Sequence, residues 1–192
     1  RKNWKQCWII DPLDGTKEFI QRNNEFTVNI ALVKNGIPIL GVIYIPVYQT
    51  LYFATKDLGS YKVPVETTTD LLVDKLLAKA DKLPIKQQFN TLRVVGSRSH
   101  MDKTTAEFIQ NLKSQEKPIE IISKGSSLKL CMIAEGKADI YPRFAPTMEW
   151  DIAAGHAIIN AAGGKVLHAE HNTELTYNKA DLLNPYFIAT KN

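Results

Sequence analysis

Cysteine is scarce in this chain. Only Cys7 and Cys131 occur, far apart, with no CxxC spacing and no neighbouring histidine. That excludes a disulfide framework and leaves a structural zinc site unsupported. Both thiols sit among apolar residues and read as buried groups of a reducing compartment. The opening residues lead to the expectation of no secretory leader, and no apolar run of membrane-spanning length occurs. These features point to the cytoplasm, with the protein free or peripheral on the cytoplasmic face of the membrane. Charge of one sign is not in marked excess either, since 24 basic and 20 acidic residues leave a net charge of +4. No basic block interleaved with aromatics appears, which argues against a nucleic-acid polymer as partner and suits a small anionic substrate. Internal repeats and low-complexity tracts are missing. What remains is a 192-residue chain, 44% hydrophobic, able to bury a core as one large or two small domains.

The most informative stretch runs from Trp8 to Ile20. Trp8, Ile9 and Ile10 read as a short buried strand. Asp11-Pro12-Leu13-Asp14-Gly15-Thr16 then sets two carboxylates three residues apart where the chain must turn. Pro12 fixes φ and has no N–H to donate, so it is expected to end the strand. Gly15 permits a positive φ or a close backbone approach. Lys17 to Ile20 can begin a helical turn whose free N–H groups face an anion. Two hard oxygen donors, the open Leu13 carbonyl and a helix start together suit Mg²⁺ and a phosphate. A plain surface turn would explain Asp-Pro and Asp-Gly separately. It would not explain a hydroxyl directly after the glycine and an apolar strand leading in.

From Glu25 to Lys34 the pattern is a strand apolar on both faces, and Asn35-Gly36 is a strong hairpin turn into a second strand from Ile37 to Tyr44. Runs over Thr50 to Thr55 and Ser60 to Val63 extend an antiparallel meander, and these strands read as scaffold. Residues 70–83 place Leu72, Val73, Leu76, Leu77, Ala80 and Leu83 on one face of a predicted helix. A polar connection over 84–90 marks the expected boundary between an α+β part, residues 1–90, and an α/β part, residues 91–192. In the second part strands are expected at 92–96, 119–123, 138–141, 165–168 and 186–190. Helices are expected at 102–113, 126–135 and 151–162.

Three loops of this second part lie beyond strand ends, where α/β proteins bind ligands. In Ser97-Arg98-Ser99-His100, Arg98 or His100 could meet an anionic or heteroaromatic ligand, while Ser99 and Asp102 serve equally well as helix caps. Gly125-Ser126-Ser127 opens a helix with Lys129 in its first turn. A lysine there opposes the helix dipole unless an anion is present. In Glu149-Trp150-Asp151, the Asp151 carboxylate stands at a helix start, followed by small residues at Ala153, Ala154, Gly155 and Ala157 that allow another backbone to pack close. His156 on that helix reads as a packed histidine.

The segment WIIDPLDGTKEFI, together with WDIAAG starting at Trp150, resembles the metal-dependent inositol monophosphatase-like superfamily. Lys17-Glu18-Phe19 resembles its 3′(2′),5′-bisphosphate nucleotidase branch. The resemblance implies a layered αβαβα sugar-phosphatase-like sandwich. It also implies hydrolysis of the 3′-phosphate of 3′-phosphoadenosine 5′-phosphate to AMP and phosphate, sensitivity to lithium, and a place in sulfur assimilation. It makes Asp11, Asp14, Asp151 and the Leu13 carbonyl ligands of two or more Mg²⁺ ions, with Thr16 orienting the attacking water. Gly15 and Thr16 N–H groups would hold the scissile phosphate, Ser126, Ser127, Lys129 and Arg143 would contact nucleotide phosphate, and His100 would lie against the nucleoside. Relatives also carry an N-terminal segment with a Glu-Glu pair that supplies a further ligand, which is expected to be absent from a chain opening on Arg1. Two alternatives stand beside this reading: an inositol monophosphatase, and a non-catalytic module that binds nucleotide or metal without turnover.

Overall fold

The computed structural model of the chain describes residues 1–66, 72–97, 103–112 and 117–191. Six strands form a first, antiparallel sheet in sequence order: β1 (Gln6–Asp14), β2 (Thr27–Lys34), β3 (Ile37–Ile45), β4 (Thr50–Thr55), β5 (Gly59–Pro64) and β6 (Asp81–Lys82). The hairpin between β2 and β3 turns at Asn35 (φ 51°) and Gly36 (φ 79°), the two positive φ values that a tight, twist-matched hairpin requires. A second sheet has the order β10-β11-β9-β7-β8, from β7 (Leu92–Ser97), β8 (Ile119–Lys124), β9 (Ile140–Arg143), β10 (Lys165–His168) and β11 (Phe187–Thr190). Here β7 pairs in parallel with β8 and β9, while β10 and β11 are antiparallel additions.

Between the sheets lie α4 (Leu128–Glu135) and α5 (Glu149–Ala161), and α3 (Lys103–Leu112) packs beside β9. The result is the layered α/β sandwich anticipated above. One apolar core runs through it, joining Ala31, Val33 and Ile43 of the first sheet to Leu130, Ile158 and Phe187 of the second half. The small residues of α5 act as expected: a Cβ on Gly41 of β3 would sit 2.2 Å from the Ala154 carbonyl oxygen. Sheet and helix backbones therefore meet almost directly, which seats the start of α5 above β1 and β2.

Several local expectations need correction. Pro12 does not end β1. Pairing with β2 slips between Asp11 and Asp14, and the strand resumes at Asp14 opposite Thr27. Nor are Trp8 and Ile10 buried; they are 57% and 54% exposed, because α5 covers only the face carrying Cys7, Ile9 and Asp11. On β2 the covered face is Thr27, Asn29, Ala31 and Val33, and the larger apolar residues Val28, Ile30 and Leu32 are only half-buried.

Of the helix expected over 70–83, residues 70–71 lie outside the described residues, and the rest holds a single turn, α2 (Val73–Leu77), with Leu76 buried and Leu72 and Val73 exposed. Residues 81–82 leave the helical pattern to pair with β5, and the Leu83 N–H donates to the Ser60 carbonyl. A sheet edge outcompetes a short amphipathic helix, whose isolated turn is intrinsically weak. The α4 helix starts at Leu128, two residues later than expected, because Ser126 adopts a positive φ of 50°. The α5 helix starts two residues earlier, at Glu149, and β9 is displaced to Ile140–Arg143.

Candidate metal and phosphate site

The slip in β1 decides the geometry of the site. On a regular strand residues three apart point to opposite faces. The bulge re-aims one of them. Asp11 and Asp14 thereby share a corner with Asp151 from the start of α5, each offering a carboxylate oxygen within 4.8 Å of the others. The three come from two halves of the chain and are half-buried.

Each carboxylate is held. Asp11 Oδ1 accepts the Leu13 N–H at 3.0 Å, which folds the loop back on itself and leaves the Leu13 carbonyl 3.5 Å from Thr16 Oγ1. Asp14 Oδ2 accepts the Ser127 N–H and the Ser126 hydroxyl, both at 2.6 Å. Asp151 Oδ2 accepts the Met148 N–H at 2.7 Å, capping its own helix. Burial pushes the Asp151 carboxyl up to about 6, and the neighbouring Asp14 and Asp11 charges add to that rise. Burial also raises Asp11, with Asp14 contributing. Like charges gathered in a desolvated corner shift in this direction, and a bound cation would reverse it. Their oxygens, with the Leu13 carbonyl, are the hard donors a divalent ion of the Mg²⁺ type accepts.

Gly15 stands between β1 and α1 (Thr16–Ile20) at φ 85°, and a Cβ there would lie 3.0 Å from the Ser126 Cβ. The following turn borders a cavity of about 160 Å³. Asp14, Gly15, Ser126, Ser127 and Asp151 line it together with the cations Lys17, Lys129 and Arg143. Lys129 is buried, donates to the Ser126 carbonyl at 2.6 Å, and lies over the Tyr141 ring at 5.6 Å. Burial pulls its pKa down to about 8, a fall that the Asp14, Glu18 and Glu25 charges oppose. Arg143 donates to the Pro146 carbonyl at 3.1 Å, while its buried Nε has no partner among the described residues. A carboxylate corner beside three cations and a glycine-opened turn can bind a phosphate ester together with its cation.

Asp11, Leu13, Asp14, Gly15, Thr16, Ser126, Ser127, Lys129, Arg143 and Asp151 thus all fall in one region. Arg98, Ser99 and His100 lie outside the described residues. The hydroxyls of Ser126 and Ser127 are committed to protein partners, Asp14 and Asn29 among them. His156 packs as expected, wholly buried with Nδ1 2.8 Å from the Tyr177 hydroxyl, and burial pulls its pKa down to about 4.

Sequence reading passed over four residues near the site. Thr27 and Asn29 are buried on the covered face of β2, against Ser126 and Ser127. Glu25 takes the Gly125 N–H at 2.7 Å and pairs with Lys124 at 3.1 Å. Glu18 packs so close to Gly125 that a Cβ there would lie 2.6 Å from the Glu18 Cγ. The available signal was two polar residues spaced by two on a strand otherwise apolar on that face.

The sequence profile described as the Inositol monophosphatase family matches residues 1–191. The 3′(2′),5′-bisphosphate nucleotidase CysQ of Salmonella typhimurium is 44% identical over 191 residues, which is 99% of this chain and 70% of that protein. The enzyme of the same name from Escherichia coli K12 is 45% identical over 97% of this chain and 69% of its own length. Among solved structures, CysQ from Bacteroides thetaiotaomicron, a bacterial member of the inositol monophosphatase family, superposes with a TM-score of 0.95 at 50% identity. That superposition covers 100% of this chain and 72% of that one.

Proposed function

The chain belongs to the inositol monophosphatase family, and from that premise we propose that it is a 3′(2′),5′-bisphosphate nucleotidase. Its reaction removes the 3′-phosphate of 3′-phosphoadenosine 5′-phosphate, yielding AMP and inorganic phosphate. The observation that carries this reading is the convergence of Asp11, Asp14 and Asp151 within 4.8 Å, beside a cavity bordered by Lys17, Lys129 and Arg143. Relatives named for this activity support it.

Asp11, Asp14, Asp151 and the Leu13 carbonyl would hold Mg²⁺. Bound there, the metal supplies a water of lowered pKa and neutralises charge on the phosphate oxygens. The chain's own part is positioning and electrostatics, the main sources of rate in phosphoryl transfer. Thr16 Oγ1, beside the Leu13 carbonyl, orients the attacking water. The N–H groups of Gly15 and Thr16, at the head of α1, cradle the scissile phosphate. Lys129 keeps one of its three N–H donors beyond those pointed at the Ser126 and Lys124 carbonyls. That donor and the unpartnered Arg143 Nε suit the second phosphate of a bisphosphate.

The test is phosphate release by the purified chain from 3′-phosphoadenosine 5′-phosphate and from inositol 1-phosphate, each titrated with Mg²⁺. The nucleotide should be preferred, lithium should inhibit, and Asp14→Asn should bring release down to background. A preference for the inositol phosphate would overturn the substrate, and an active Asp14→Asn would overturn the metal assignment. Calorimetric binding of the nucleotide without turnover would mark a binding module.

A further inference from the structure

The geometry points to Thr27, backed by Asn29, as the pair that fixes the Asp14 carboxylate for cation binding, a positioning role that rests on the metal site proposed above. Thr27 is 0% and Asn29 1% exposed, on a strand face that continues as Ala31 and Val33. A scaffold strand needs no hydroxyl or amide there, and each buried polar group is costly unless it is hydrogen-bonded. Thr27 Oγ1 lies 2.7 Å from both Ser126 Oγ and Ser127 Oγ, and 3.4 Å from Asp14 Oδ2. Asn29 Oδ1 accepts from Ser127 Oγ at 2.8 Å and lies 3.1 Å from Thr27 Oγ1, whose one proton serves a single oxygen of this cluster, while Asn29 Nδ2 has no partner among the described residues. Asn29 also stands directly across from Asp11 in the β1–β2 register, so the pair lies behind two of the three carboxylates.

The consequence falls on Asp14. Among the described residues the hydrogen bonds to its carboxylate land on Oδ2, from the Ser126 hydroxyl and the Ser127 N–H, with the Thr27 hydroxyl behind them at 3.4 Å, which leaves Oδ1 for a cation. The Ser126 donor depends on a left-handed backbone (φ 50°) that a non-glycine residue holds only when its surroundings fix it. Lys129 grips its carbonyl at 2.6 Å, and Thr27 meets its hydroxyl from below. Thr27 is thus where the floor of the first sheet meets the loop before α4, across 99 residues of sequence. Groups that orient metal ligands from behind carry about 10- to 100-fold in metal affinity or activity.

The deciding measurement is Mn²⁺ binding to the full chain, followed by the loss of the free-ion electron paramagnetic resonance signal, alongside thermal melting. Thr27→Val, which removes only the hydroxyl, should raise the Mn²⁺ dissociation constant about tenfold while still melting cooperatively, several degrees below the parent. Thr27→Ser, which keeps the hydroxyl, should bind within about twofold of the parent. If Thr27→Val does not fold, Asn29→Val is read in its place, with the same weakening expected. Parent-like binding by the valine variant refutes the role, as does a serine variant weakened as much as the valine one. A parent that binds no Mn²⁺ also refutes it. A parent that binds Mn²⁺ but hydrolyses no phosphate ester removes the nucleotidase reading and leaves this one standing if the variants behave as described.

Discussion

The carboxylate corner should cost the cation-free protein stability, and Asp151→Asn measures that cost. The Asp151 carboxyl is pushed from its ordinary 3.8 to about 6, chiefly by burial and then by Asp14 and Asp11. Two units at about 1.4 kcal/mol each amount to about 3 kcal/mol against ionising this group in the fold. Because the side chain is still partly reached by solvent, about half of that, ~1.5 kcal/mol, is the expected effect. The direction follows from linkage. A carboxyl whose folded pKa is raised stabilises the fold fully below pH ~4, and that contribution is lost as pH rises through ~6. At pH 7.5 in chelator the parent therefore carries the penalty.

Asparagine carries no charge, still accepts the Met148 N–H, and escapes the penalty. Its Tm in chelator should be higher by about 3–6 °C, since 1 kcal/mol moves a domain of this size by about 2–4 °C. Mg²⁺ should raise the parent's Tm by mass action and do so much less for the variant. Differential scanning calorimetry with and without Mg²⁺ reads both effects. An Asp151→Asn protein that melts below the parent in chelator, or gains as much from Mg²⁺, would show that the three carboxylates are not a strained cation site.

Two further outcomes follow from packing. Gly41→Ala would drive a Cβ to 2.2 Å from the Ala154 carbonyl, where neither backbone can yield cheaply, so stability should fall by about 3 kcal/mol in thermal melts. Arg93 is buried between the Asp139 carboxylate and the Gly136 carbonyl. Arg93→Met takes the guanidinium from both while Lys191 and the residue-93 N–H still hold Asp139, and should cost about 2 kcal/mol, seen as a lower urea midpoint with an unchanged m-value.

Local chemistry was legible wherever a few adjacent residues decide the outcome. The Asn35-Gly36 turn and the positive φ of Gly15 are set by steric freedom within a residue or two, and both could be read directly. The apolar spacing of 70–83 fits a helix, and that spacing alone does not decide its structure. A sheet edge at β5 was available to take Asp81 and Lys82, and no property of the segment itself records that edge. Trp8 and Ile10 were misplaced for a related reason: hydrophobicity marks a strand, but which face is covered depends on what packs against it.

By itself the sequence determined the candidate donors: two aspartates around Pro12 and Leu13, a third before a run of small residues, and a glycine-opened turn between them. Those choices depend on side-chain chemistry and short-range backbone sterics. Only the tertiary structure decided that Asp11 and Asp14 face one way, through a slip in strand register, and that Asp151 meets them, through the close seating of Ala154 on Gly41. It likewise turned Thr27 and Asn29 from scaffold into partners of the loop before α4. Register and helix seating are set by burial summed over two distant halves of the chain, a quantity that no local window contains.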